Sequence, residues 1–168
     1  MATWKSIADA EPAFAKAVKD VFDANKHKIL GTLRRDGSPR LSGIELAFKD
    51  GDLWLGMMPG SLKALDLRRD PRMALHSATA APEGDNPSEW PGDVKLAGRG
   101  VEITDPEEVA AFYRAAAEEA GGGPDATGAH LFRIDVTEVV WTRVGTPADH
   151  LAIDIWREGE GLRSVKRT

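Results

Sequence analysis

"HKILGTLRRDGSPRLSGIELAFKDGDLWLGMM", residues 27–58, decides the fold. Three apolar runs, 27–35, 39–49 and 52–58, are parted by Asp36-Gly37 and Asp50-Gly51. Asp-Gly readily takes the positive φ angles of tight hairpin turns, so the stretch predicts a three-stranded antiparallel meander. The pattern continues downstream. "RMALHSA" (72–78) reads as a fourth strand, "DVKLAGRGVEIT" (93–104) as a fifth and "AHLFRIDVTEVVWTRVG" (129–145) as a long sixth. Gly98 and Gly100 mark a bulge or a close backbone approach in the fifth. "HLAIDIWRE" and "GLRSVKR" make a closing hairpin around residues 159–161.

Helices are fewer. Residues 9–26 place Phe14, Val18, Val21 and Phe22 on one face, with Pro12 near the start. Residues 61–69 form a short helix stopped at Asp70-Pro71, and 106–120 a longer one capped by Asp105 or Thr104. "AAPEGDNPSEWPG" (80–92) and "GGGPDATG" (121–128) are loops. Tight turns between many strands predict a mainly β, α+β chain: an antiparallel split barrel with flanking helices. Residues 1–168 read as one domain, with a helix at 9–26, a barrel core at 27–144 and a C-terminal hairpin at 149–167.

Net charge of −5 weighs against general nucleic-acid binding, which needs a basic face, but leaves room for a local anion pocket. The absence of cysteine rules out thiolate chemistry and disulfides. No signal-like or membrane-spanning run occurs, so a cytoplasmic location and no membrane partner are expected. His27, His76, His130 and His150 lack metal-ligand spacing, and no metal is expected. Ser42, Ser61 and Ser77 lack a nucleophile elbow.

"PGSLKALDLRRDPR" (59–72) poses the functional question. A helix N-terminus carries free N–H groups and a partial positive charge, and it favours acids. Here the first turn holds Ser61, Leu62 and Lys63 with no acid before Asp66. An external anion would accept from the N–H groups, the Ser61 hydroxyl and the Lys63 amine together. Alternatively Lys63 is solvated and pairs with Asp66 or Asp70. Physics alone leaves the two open.

The stretch 29–78, with its "DGSPR" turn and "GSLKALDLRRDPR", resembles the FMN-binding split barrels of the pyridoxamine 5′-phosphate oxidase type. "KLAGRGVEIT" and "FRIDVTEVVWTR" are similar to later strands of that family. The resemblance spans roughly residues 28–143. It implies a homodimer with the cofactor at the interface and a flavin-dependent oxidoreductase acting on a small-molecule substrate. The cofactor it implies is FMN, or alternatively the deazaflavin coenzyme F-420. A non-catalytic flavin- or haem-binding module is a further alternative.

Carried over by residue, the resemblance places Lys63, Ser61 and Leu62 at the cofactor phosphate. Many relatives have arginine where Leu62 stands. It places Ser42, Gly43, Ile44 and Glu45, with Gly56 and Met57, along the ring and ribityl chain. Trp141 falls where the family has a tryptophan facing the cofactor, often from the partner. True pyridoxamine phosphate oxidases carry an Arg- and His-rich motif near the C-terminus. "TRVGTPADHLAIDIW" (142–156) lacks it, so a different substrate is expected. Catalytic side chains are not assigned, because in such enzymes the cofactor carries the redox chemistry.

Several residues have two readings. His76 can face the pocket. Glu45 sits on a solvated face or near the flavin. Arg40 contacts phosphate or belongs to the surface. Arg68, Arg69 and Arg72 serve the helix C-terminus and pair with Asp66 and Asp70. Trp90 is part of a lid or a packing anchor.

Overall fold

The computed structural model describes residues 2–78, 84–122 and 126–168. The first part of the 80–92 loop and the middle of the 121–128 loop lie outside the described residues. The strands are β1 (His27–Leu33), β2 (Pro39–Glu45), β3 (Ala47–Lys49), β4 (Asp52–Met57), β5 (Arg72–His76), β6 (Asp93–Ile103), β7 (His130–Val144), β8 (Leu151–Arg157) and β9 (Gly161–Arg167). The helices are α1 (Trp4–Ala10), α2 (Pro12–Asp23), α3 (Leu62–Arg69) and α4 (Pro106–Ala120).

The main sheet runs β2-β1-β5-β6-β7-β4-β3, all antiparallel, and the β8–β9 hairpin continues from β7. The first and last strands of that path are one stretch of chain, parted only at Leu46. The run expected as a single strand over 39–49 is therefore two. One flat ladder cannot serve β1 at one border and β4 at the other, so the segment bends. The sheet curls into an antiparallel barrel, the fold class the sequence predicts. Among the described residues no ladder joins β2 to β4, and this is where the barrel is split.

Local chemistry sets the turns. Asp50 (φ 53°) and Gly51 (φ 82°) both take the positive φ of a type I′ turn. Between Ala97 and Gly98 the β6–β7 register shifts. A Cβ on Gly98 would lie 2.4 Å from the Asp135 carbonyl oxygen, so only glycine allows this approach.

The helix expected over 9–26 is broken. Proline excludes helical angles from the residue before it, and Glu11 sits at φ −133°, ψ 64°. Asp9 and Ala10 consequently close α1, while Pro12 opens α2, which ends at Asp23. Trp4, Ile7, Phe14, Val18 and Phe22 bury themselves with Leu30, Leu53, Leu55, Leu75, Leu96, Phe132 and Ile134 in one apolar core. α1 docks on the β3–β4 turn through Lys5 N–H to Gly51 O (2.7 Å). α3 leaves from the opposite end of β4, so helices close both ends of the barrel.

Candidate functional site

β4 passes into α3 through Met58-Pro59-Gly60-Ser61. Proline at the second place, glycine at the third (φ 71°) and Ser61 N–H to Met58 O (3.2 Å) make a type II turn. The turn presents the α3 N-terminus beside the split. Ser61 caps through its backbone carbonyl, which accepts from Ala64 (3.0 Å) and Leu65 (3.1 Å). Its hydroxyl makes no capping bond and the first turn holds no acid. Helix geometry leaves the earliest N–H groups without intrahelical acceptors.

Lys63 reaches across the split and donates to the carbonyl of Gly43 on β2 at 2.8 Å. Partial burial holds its ammonium below the ordinary lysine value. It pairs with neither Asp66 nor Asp70. Asp70 is bound by Arg72 (2.6 Å). Asp66 is buried and accepts from Arg40 Nε (2.6 Å), Thr32 Oγ1 (2.9 Å) and Arg69 Nη2 (3.0 Å). Burial pushes the Asp66 carboxyl up, but hydrogen bonds from Arg40, Arg69 and Thr32 together outweigh it, leaving it below the ordinary aspartate value. Arg40 commits only its Nε edge to these bonds, and its Nη nitrogens have no hydrogen-bond partner among the described residues.

The structure thus brings Lys63, Ser61 and Gly43 together. A Cβ placed on Gly43 would meet nothing within 4 Å, so the strand there faces open space. Leu62 is exposed at the same helix end. Ser42 is half-buried, Ile44 lies in the core, and exposed Glu45 is 3.3 Å from the Lys26 amine.

Other expected residues stand apart. Met57 is buried in the core, and Gly56 lies under α4, where a Cβ would come 2.9 Å from the Tyr113 hydroxyl. Trp141 lies elsewhere in the sheet. Gly43 aligns with Ile29, His76, Lys95 and Val140 across successive strands, so Trp141 sits on the fourth strand away. By the other border, β4 ends at Met57 opposite His130, so Trp141 lies eleven residues further along β7 from the strand end that feeds α3, roughly 36 Å at ~3.3 Å per residue. The Trp141 indole donates to Pro91 O (2.8 Å), and the Arg143 guanidinium lies 3.7 Å from its ring centre. His76 lies on the outer face, its Nε2 3.2 Å from Asp93 Oδ2. Trp90 donates its indole N–H to Gly84 O (3.1 Å) within its own loop.

Two groups escaped sequence reading. Asp66 looked like a surface acid, because helix periodicity does not say which polar residue goes under. Tyr113 on α4 reaches the carbonyls of Met57 (3.2 Å) and His130 (3.0 Å), and only Gly56 beneath it hinted at a close approach. Arg68 pairs not with Asp66 or Asp70 but with Glu102 (2.6 Å). That pair lines a cleft of about 540 Å³ between α4, the end of β6 and residues 126–129, which Lys63, Ser61 and Gly43 do not line.

The fold and site together are those of a split antiparallel barrel with an acid-free helix N-terminus and a lysine at its split. A family model described as pyridoxamine 5′-phosphate oxidase matches residues 14–142, and the chain belongs to that family. Similar solved structures include a pyridoxamine 5′-phosphate oxidase-related, FMN-binding protein from Nostoc punctiforme. It is 14% identical with a TM-score of 0.69, over 98% of this chain and 99% of that one. An F-420 reductase is 18% identical with a TM-score of 0.54, over 72% of this chain and 94% of that one. A conserved hypothetical protein from Mycobacterium tuberculosis is 23% identical with a TM-score of 0.57, over 76% of this chain and 81% of that one. At such identities the likeness is one of fold. No curated protein matches.

Proposed function

We propose that the chain is a flavin-dependent oxidoreductase that holds FMN by its phosphate at the α3 N-terminus. The observation that carries this is the Lys63 amine, partly desolvated and parked on the Gly43 carbonyl beside an acid-free helix end that lacks a side-chain cap. A phosphate monoester supplies what those groups lack: acceptors for the first-turn N–H groups and the Ser61 hydroxyl, and a counter-charge for Lys63. Arg40, whose Nη nitrogens have no hydrogen-bond partner among the described residues, adds a second cation. The residues present fit such a group, and the open space at Gly43 admits a flat ring against the strand.

Bound flavin supplies hydride and electron transfer. The chain's own part is to anchor, orient and shield. Lys63 and Ser61 fix the phosphate, β2 sets the ring against the split, and α3 excludes water from one side. The second wall comes from another copy of the chain. The outer barrel face carries exposed Ile29 and Leu41 around Gly31, Ala74 and Ala97, an apolar surface suited to a homodimer. Trp141, remote from Lys63 in its own chain, is then available to the partner's site. A small-molecule substrate other than pyridoxamine phosphate completes the reading.

Deazaflavin coenzyme F-420 is the second reading, supported by the F-420 reductase among the similar structures. Mass spectrometry and absorbance of the co-purifying ligand, followed by titration of the emptied protein, separate the two. FMN gives two visible bands and deazaflavin one fluorescent band. A Soret band, or no binding of either flavin, overturns the proposal.

A further inference from the structure

We infer that Asp66 is a positioning residue for the phosphate site, an inference that rests on the cofactor reading above. Its side chain is 5% exposed, yet it is a charge. Ala64 and Leu67 are already buried under α3, and an apolar side chain in place of Asp66 would seat the helix without desolvating a carboxylate. Apolar packing fixes how deep a helix lies. It is tolerant of how the helix is turned and slid.

The carboxylate removes that tolerance. It takes donors from three places: Thr32 on β1, Arg40 on β2 and Arg69 one turn along α3. Thr32 and Arg40 are register partners, so one side chain clips α3 to a single rung of the β1–β2 ladder. Residues three apart on a helix share a face, roughly 4.5 Å apart along the axis. The rung that holds Asp66 therefore also dictates where Lys63 meets β2.

Lys63 cannot do this for itself. Its amine carries three N–H donors on a flexible stem, so the single bond to the Gly43 carbonyl does not fix how the helix is turned. The Asp66 clip ties α3 to β2 whether or not that amine turns to a ligand. The same clip takes the Nε edge of Arg40.

The sign of the effect makes the test sharp. As a mere nearby charge, Asp66 would repel phosphate, and Asp66→Asn would tighten FMN binding. As a positioning residue, it makes the same substitution weaken FMN binding although a negative charge has gone. The experiment titrates the emptied full-length chain with FMN and with riboflavin, which lacks the phosphate, following flavin fluorescence. Asp66→Asn is expected to lose on the order of ten- to a hundredfold in FMN affinity and to bind riboflavin as the parent does. Thr32→Val, which keeps the charge and drops one donor, is expected to show a smaller loss for FMN alone.

Combining Lys63→Ala with Asp66→Asn should cost little more than Lys63→Ala, because the clip acts through that amine. The inference is overturned if Asp66→Asn binds FMN as tightly as the parent or tighter, or loses both ligands equally. Should Asp66→Asn not fold, an unchanged FMN affinity in Thr32→Val overturns it. A parent chain that binds neither FMN nor coenzyme F-420 overturns the cofactor reading itself, and Asp66 as its positioner with it.

Discussion

Lys63 and Asp66 lie on one helix face and carry opposite charges, yet they do not pair. Each spends its charge on β2 instead, Lys63 on the Gly43 carbonyl and Asp66 on Arg40. That division is what leaves an amine exchangeable for ligand. Lys63→Ala removes one charge-assisted hydrogen bond, worth about 1.5–3 kcal/mol. The expected result is FMN affinity lower by on the order of ten- to a hundredfold, with riboflavin affinity unmoved, read by fluorescence titration. Equal FMN affinity would show that the phosphate lies elsewhere. Asp66 also makes an acid-stability signature. Its folded value is depressed, so its contribution is complete above the unfolded aspartate value near ~4 and is lost as pH falls through the lower folded value. Urea midpoints of the parent should therefore drop below about pH 4, and those of Asp66→Asn should drop less steeply.

At the scale of elements, the hairpin turns were readable because Asp-Gly has a backbone preference of its own. Helix 106–120 was readable for the same kind of reason, with Asp105 accepting from Glu107 N–H (2.9 Å) and Gly121 closing it in the left-handed region. The break at Glu11 was written in Pro12, but only the steric effect on the preceding residue shows it. The bend at Leu46 is not local at all. It exists because β2 and β3 serve opposite borders of the sheet. α4 is seated by Tyr113 over Gly56, and that contact fixes the strand end that feeds the Pro59-Gly60 turn. Gly56→Ala would put a methyl group 2.9 Å from the Tyr113 hydroxyl. We expect about 1–3 kcal/mol of destabilisation by urea unfolding, partly relieved by adding Tyr113→Phe. No loss in Gly56→Ala would mean that α4 shifts freely.

The whole molecule leaves several large apolar side chains exposed, Leu41 and Ile29 among them. Leu41 is 74% exposed on a sheet face that also shows Ile29 on the neighbouring strand. Exposed apolar side chains grouped on a sheet face are a candidate association surface. Leu41→Asp would bury a charge at such an interface, and a shift from dimer toward monomer in sedimentation velocity is the expected outcome, with weaker FMN retention. A monomeric parent would contradict the two-subunit site.

By itself the chain determined its strands, its turns, the acid-free start of α3 and the family resemblance, because these rest on propensities acting over a few residues. Only the tertiary structure decided that Lys63 would find Gly43, that Asp66 would go under while Arg68 turned to Glu102, and that Trp141 would stand four strands from Lys63. Those outcomes depend on which strands become neighbours when the sheet closes. Burial of a charge is settled by the donors that closure brings to it, and no local pattern in the sequence encodes where they will come from.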